Sequence, residues 1–131
     1  MYFKIEQRLP SMNDWIAANR SNKYVGAKMK RETEGVIGLY IRAARLRGTI
    51  KPTSTPVIVK IEWHEKSRKR DIDNIQSGTK FILDALQREG ILINDSQRYV
   101  AQIYHQVFID SEDYVEVYLE PVKTITKETV K

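Results

Sequence analysis

The chain has 131 residues, of which 41% are hydrophobic, so it can form one domain around one modest core. It contains no cysteine, which excludes disulfides and thiolate metal sites. Residues 1–70 hold 16 Lys/Arg against 6 Asp/Glu, a net of +10, whereas residues 71–131 hold 6 against 11, a net of −5. The basic half favours a polyanionic partner such as DNA or RNA, although a solvated surface would also account for it.

Neither a targeting segment nor a membrane span is predicted. Lys4, Glu6 and Arg8 interrupt the first ten residues, which therefore do not resemble a signal peptide. No apolar run approaches the length that crosses a bilayer. We therefore expect a cytoplasmic protein with no membrane partner.

In the first half of the chain, alternation of apolar and polar residues predicts a strand over residues 2–9. Residues 10–22 are predicted to be a loop, and apolar spacing predicts a helix over residues 23–47. This helix has candidate caps at both ends, Ser21 or Asn22 and Gly48.

In the second half, residues 57–65 alternate as a strand, with Trp63 on the core side. Residues 74–89 are predicted to form one helix that ends at Gly90. Two strands then follow, at about 99–109 and 114–120.

The predicted order β-α-β-α-β-β implies an α+β (α/β) single domain with a mixed sheet packed against two helices. We place this domain at residues 1–120. Residues 121–131 are polar and are predicted to form a flexible C-terminal tail.

The segment KSRKRDIDN, residues 66–74, places a basic cluster directly before two aspartates. The local interpretation is that Asp73 caps the following helix in a capping box with Gln76. The functional interpretation is that an extended segment points Asp71 and Asp73 the same way, so that they share a divalent ion. Oxygen ligands suit Mg²⁺ or Mn²⁺. The basic cluster, which would attract a phosphodiester, consists of Lys66, Arg68, Lys69 and Arg70.

Such a site would hydrolyse a phosphodiester, because a bound ion activates water and stabilises the charge that develops on phosphate. Lys80 could assist with that charge. Arg20, Lys23, Lys28, Lys30 and Arg31 are further candidates for phosphate contacts, although half of them could merely solvate a helix.

Residues 68–97 resemble the RusA family of Holliday-junction endonucleases, which is common in phages and bacterial prophages. Their sequence is RKRDIDNIQSGTKFILDALQREGILINDSQ. The matching pieces are R-D-x-D-N at residues 70–74, K-x-x-x-D-A-L at 80–86, Gly90, N-D at 94–95, and an early L-P-S-x-N that ends at Asn13. The resemblance implies a Mg²⁺-dependent homodimeric endonuclease that cuts four-way DNA junctions with paired nicks.

The resemblance also implies roles for particular residues. Asp71, Asp73 and Asp95 match the family's catalytic acidic residues, and Asn74 adjoins the second of them. Lys80 matches a functional lysine before D-A-L, but some members place that lysine three residues after the asparagine, where this chain has Ser77.

The length of chain between the predicted helix and Asp95 limits how close Asp95 can come to Asp73. A helix over residues 74–89 would be about 24 Å long, and the six residues from Gly90 to Asp95 span about 20 Å when extended. We therefore expect that a partner subunit could supply Asp95 across a two-fold axis, with assembly within one chain still open.

Other residues with chemical potential are less specific. Trp15, in the predicted loop, is a candidate for contact with DNA bases, whereas Trp63 is expected to be buried. A metal site built on His64 and His105 is conceivable from residue type alone. The alternatives to a junction resolvase are a less specific nuclease acting on flaps or forks, and a non-catalytic nucleic-acid-binding protein.

Overall fold

The fold was analysed on a computed structural model, in which residues 1–122 are described. These residues form a four-stranded sheet and four helices, which confirms the α+β class and the mixed sheet. Among them, no helix combines the length and the apolar character that crossing a bilayer requires. The elements are β1 (Tyr2–Ile5), α1 (Met12–Ser21), α2 (Lys23–Arg47), β2 (Val57–Glu65), α3 (Ile72–Gln76), α4 (Thr79–Arg88), β3 (Val100–Ile109) and β4 (Tyr114–Pro121).

The strand order is β1-β4-β2-β3, with β2 parallel to β3 and antiparallel to β4. The connection from β2 to β3 contains α3 and α4, as a parallel pair requires a long crossover. Alternate residues of β2 are buried, and its Ile61 and Trp63 belong to one core with Ile37 of α2 and Leu86 of α4. The helices therefore cover one face of the sheet. The opposite face, here called the open face, carries half-buried or exposed side chains that include Tyr2, Lys60, Glu62, His64, Glu116 and Tyr118.

Helix α2 has the bounds that the sequence predicts. Asn22 caps its start, since the Asn22 Oδ1 atom accepts a hydrogen bond of 2.7 Å from the Tyr24 amide. Gly48 ends it in a left-handed conformation with φ of 80°, which glycine adopts without steric cost. Ile37 and Ile41 lie fully buried on the side of the helix that faces the sheet.

The prediction of a loop over residues 10–22 is wrong, because Met12–Ser21 forms helix α1. Ser11 and Asp14 form a capping box: the Ser11 amide donates to the Asp14 carboxylate at 2.8 Å, and the Asp14 amide donates to the Ser11 hydroxyl. The β1 strand is also shorter than predicted and ends at Ile5.

The prediction of a single helix over residues 74–89 is wrong as well. This segment belongs to two helices, α3 and α4, which are separated at Ser77 and Gly78. The Ser77 hydroxyl donates to the Asn74 carbonyl and accepts from the Met12 amide, so the break is tied to α1. A Cβ atom on Gly78 would lie 3.2 Å from the buried Trp63 ring. The chain therefore breaks where its backbone passes close over the core.

The C-terminal strands lie within one residue of their predicted bounds. Strand β4 includes Pro121, the first residue of the predicted tail. Residues 123–131 of that predicted tail lie outside the described residues.

Candidate active site

The basic loop between β2 and α3 is anchored at its end by Arg70. The Arg70 guanidinium donates to both carboxylate oxygens of Glu65, at 2.9 and 2.8 Å, and to the Leu9 carbonyl at 3.0 Å. The side chains of Arg70 and Glu65 are only 14% and 6% exposed. Arg70 therefore faces inward and holds the backbone next to Asp71, whereas the other cations of the loop, Lys66, Arg68 and Lys69, are exposed.

Asp71 and Asp73 lie at the start of α3. Asp71 is the N-cap, with φ of −66° and ψ of 150°, and its side chain makes no capping hydrogen bond. Asp73 lies in the first turn, where its carboxylate accepts a 3.0 Å hydrogen bond from the Asn74 amide. The prediction that Asp73 is the cap of a capping box is therefore wrong, because the helix begins two residues earlier than expected. Both carboxylates are exposed at a helix N-terminus, which favours negative charge.

Asp95 lies beside the first turn of α4, where its Oδ2 atom is 2.7 Å from the Lys80 ammonium. The chain reverses after α4 at Gly90, whose φ is 77°, and the amides of Ile91 and Leu92 both donate to the Leu86 carbonyl. Helix α4 has only 10 residues, about 15 Å, so the return to its start is shorter than the predicted helix implied. Asp95 thus contacts Lys80 of its own chain, and the single helix of about 24 Å, on which the expectation of a partner subunit rested, is absent.

Lys80 also lies 3.0 Å from Asp84, so its ammonium joins two carboxylates. The hydrogen bond to Asp95, followed by the one to Asp84, raises the pKa of Lys80. The same hydrogen bond to Lys80 lowers the pKa of Asp95, despite some burial. Lys80 therefore stays cationic and Asp95 stays anionic around neutral pH.

Replacing Lys80 with methionine is expected to raise the pKa of Asp95, because the ammonium that favours the ionised carboxylate is lost. In the native chain the folded-state pKa of Asp95 lies below its unfolded value. The pair therefore stabilises the fold above the unfolded pKa, and this stabilisation is lost as the pH falls through the folded pKa. Carbon-13 NMR titration of the Asp95 carboxyl measures the change. Lys30→Met is the matched control, since Lys30 pairs with Asp84 and Glu34 and not with Asp95; an equal rise in that variant would contradict a direct effect.

The structure brings the predicted acidic residues to the starts of two successive helices, but not into one tight cluster. In residues 1–122, the oxygens of Asp71, Asp73 and Asp95 do not form a group lying within 4.8 Å of one another. A group that meets this distance consists of Glu62, His64 and Glu116. Sequence reasoning missed it: alternation places Glu62 and His64 on one side of β2, but Glu116 joins them only through the pairing of β2 with β4.

The two histidines do not form a pair. The Nδ1 atom of His64 lies 2.9 Å from the Asp110 carboxylate, whereas Nδ1 of His105 accepts a 3.1 Å hydrogen bond from the Trp63 indole. Burial lowers the pKa of His105, which suits this acceptor role. Trp63 is 1% exposed, as predicted.

The predicted DNA-contacting side chains on α1 and α2 are exposed. Trp15 lies in α1 and not in a loop, and its indole donates to the Gly26 carbonyl at 3.3 Å. Lys28 lies 3.8 Å from Glu32, and Lys30 lies 3.5 Å from Asp84, so both have acidic neighbours. The exposed set comprises Asn13, Arg20, Lys23, Lys28, Lys30 and Arg31.

An exposed pair of aspartates directly behind a basic loop, on an α+β scaffold, is an arrangement suited to nucleases that use metal ions. The sequence matches the family described as endodeoxyribonuclease RusA over residues 10–120. The chain therefore belongs to the RusA family of endodeoxyribonucleases, which confirms the resemblance seen in the sequence. No match to a curated protein is found for this chain.

Proposed function

We propose that this protein is a Mg²⁺-dependent endonuclease that resolves four-way DNA junctions by paired nicks. The observation that carries the proposal is the position of Asp71 and Asp73, exposed at the start of α3 and directly behind the basic loop, in a chain of the RusA family. We assign its action to DNA recombination and repair in the cytoplasm.

The donor chemistry of the aspartates fits a hard divalent ion. The Asp71 carboxylate makes no capping hydrogen bond that metal binding would have to break. Lys80 lowers the pKa of Asp95, so the Asp95 carboxylate is already deprotonated at neutral pH, as metal binding requires. We propose that Asp71, Asp73 and Asp95 hold Mg²⁺, with Mn²⁺ as a substitute, and that ion binding draws Asp95 toward the other two, since the three carboxylates do not lie within 4.8 Å of one another. When bound, the ion supplies an activated water and stabilises charge on the phosphate.

The residues around the aspartates are assigned to binding and orienting DNA. Lys66, Arg68 and Lys69 are exposed on the loop, and the Lys66 amide donates to the Asp113 carboxylate at 2.8 Å, which supports the loop's conformation. These cations would hold the phosphate backbone next to the aspartates. Lys80 remains protonated and offers an ammonium donor to developing negative charge.

Two further groups support this assignment. The backbone N–H of Asn74 donates to the Asp73 carboxylate at 3.0 Å and thereby orients it, and the Asn74 side chain adjoins the proposed metal site. Asn13 and the cations of α1 and α2 would extend the basic surface along the DNA arms; these are Arg20, Lys23, Lys28, Lys30 and Arg31.

Paired cutting of a four-way junction requires two active sites related by symmetry, so we propose a homodimer with two-fold symmetry. Each subunit would supply Asp71 and Asp73 to one site, and Asp95 lies beside Lys80 of its own chain.

The proposal is tested by incubating the wild-type protein and Mg²⁺ with a synthetic four-way junction, a flap, a fork and a linear duplex. We expect symmetric nicks in the junction, with cleavage of the other substrates slower by at least tenfold. Equal cleavage of flaps and forks would replace the proposal by a less specific branched-DNA nuclease. Junction binding without cleavage at any Mg²⁺ or Mn²⁺ concentration would leave a non-catalytic binding protein.

A further inference from the structure

The open face of the sheet brings two acidic side chains together across neighbouring strands. Glu62 on β2 lies directly opposite Glu116 on β4. Their side chains are only 16% and 22% exposed, so water screens their repulsion incompletely. Like charges directly opposite each other destabilise a sheet unless a cation lies between them. Lys60 approaches Glu62 to 3.6 Å, but its side chain is 52% exposed and does not reach Glu116 within salt-bridge distance.

His64 lies beside this pair with one ring nitrogen bonded and the other without a hydrogen bond. Its Nδ1 atom is 2.9 Å from the Asp110 carboxylate, which also accepts hydrogen bonds from the Ser111 amide at 2.7 Å and the Tyr114 hydroxyl at 2.9 Å. Asp110 accepts both of those hydrogen bonds, and we infer that His64 Nδ1 carries the proton that it shares with Asp110. The Nε2 atom is buried and has no hydrogen-bond partner, although Glu116 Oε1 is only 3.2 Å away. An imidazole lone pair at that distance from a carboxylate is unfavourable without a cation.

The orientation of each of these side chains is held by neighbours. The His64 ring stacks on Tyr114 at 4.0 Å and on Phe108 at 4.9 Å between ring centroids. The Tyr2 hydroxyl donates to Glu116 Oε2 at 2.7 Å, which leaves Oε1 directed toward His64.

We propose that Glu62, His64 and Glu116 form a second metal site, which takes a divalent transition ion and for which Zn²⁺ is the best match. Ligand atoms of all three residues lie within 4.8 Å of one another. Zinc binds imidazole nitrogen and carboxylate oxygen at about 2.0–2.1 Å in tetrahedral geometry, which places two ligand atoms about 3.3 Å apart. The 3.2 Å between His64 Nε2 and Glu116 Oε1 matches that spacing.

The surroundings of His64 also match those of a metal ligand. A metal-bound histidine commonly donates its other ring nitrogen to a carboxylate, as His64 does to Asp110. The imidazole favours zinc over Mg²⁺ or Ca²⁺, which prefer oxygen alone. None of these residues belongs to the proposed nuclease site. The ion would link β2 to β4 and neutralise the repulsion between Glu62 and Glu116, so its expected role is stabilisation of the sheet.

The test uses the untagged, full-length chain with Asp71, Asp73 and Asp95 all changed to asparagine, so that the proposed nuclease site contributes no metal binding. Equilibrium dialysis against Zn²⁺ is expected to give one tightly bound ion per chain, accompanied by a rise in melting temperature. His64→Gln in this background is expected to weaken zinc binding by about 100-fold or more, since loss of an outer partner alone costs about 10–100-fold. Because the parent chain is already cleavage-deficient, the result does not depend on whether the wild type cuts junctions.

His105→Gln is the matched control, because it removes the other histidine and should leave zinc affinity unchanged. If circular dichroism shows that His64→Gln does not fold, Glu62→Gln tests the same ligand set. Absence of tight zinc binding in the parent, or equal binding by the parent and the ligand variants, would overturn the proposal.

Discussion

Replacing Asp71 with asparagine is expected to slow junction cleavage by about 1,000-fold or more, with junction binding retained. The change removes one carboxylate charge from the proposed metal site, and a metal ion contributes several kcal/mol to stabilising charge on phosphate. A loss of about 4 kcal/mol corresponds to a factor of about 1,000 in rate. Asparagine is as good an N-cap as aspartate, so α3 should keep its start. Single-turnover cleavage rates and gel-shift binding, both with Mg²⁺, measure the two quantities.

The matched control for this variant is Glu120→Gln, which removes the same charge from an exposed position opposite Ile58, at the end of β2 away from the basic loop. It should cut junctions at the wild-type rate. Asp73→Asn should resemble Asp71→Asn, because both carboxylates serve the same ion in the proposal. Wild-type cleavage by Asp71→Asn would show that this carboxylate does not hold the ion, and the proposed site would have to be abandoned.

Replacing Arg70 with methionine is expected to lower the free energy of unfolding by about 3–5 kcal/mol, the usual cost of removing one partner from a buried ion pair. Arg70 makes two hydrogen bonds to Glu65 and one to the Leu9 carbonyl, and its removal would leave the Glu65 carboxylate buried without compensation. Urea denaturation measures the effect. Lys69→Met, on the same loop but exposed, should change stability by no more than about 0.5 kcal/mol.

A double variant separates the loss of the ion pair from the loss of packing. Arg70→Met combined with Glu65→Leu should recover much of the lost stability, since a buried ion pair is often replaceable by apolar residues of similar size. If Arg70→Met proves as stable as Lys69→Met but binds junctions more weakly, the side chain faces DNA, as the sequence predicted.

The elements that the sequence predicts well are those whose signals are local. Helix α2 has a side-chain cap at Asn22 and a glycine stop at Gly48, and both act through neighbouring backbone groups. Strand β2 alternates strictly, so its buried residues follow from the period of the strand. The family resemblance is similarly contained in short strings, chiefly R-D-x-D-N at residues 70–74.

The errors have distinct physical causes. Helix α1 carries a readable local signal, the capping box of Ser11 and Asp14, which the proline and polar residues around it obscure. The break between α3 and α4 has no comparable local signal. It depends on the Met12 amide reaching Ser77 and on the Trp63 ring lying against Gly78, and both partners are distant in sequence.

The sequence by itself determined the chemistry available: a basic loop, then Asp71 and Asp73 at a helix start, in a single α+β domain. Only the tertiary structure decided which side chains contact one another. Arg70 turns inward to Glu65, Asp95 returns to Lys80 of its own chain, and Glu116 meets Glu62 and His64 across the sheet. The physical reason is that a local pattern indicates which face a residue occupies, whereas its partner depends on strand pairing and chain reversal between distant segments.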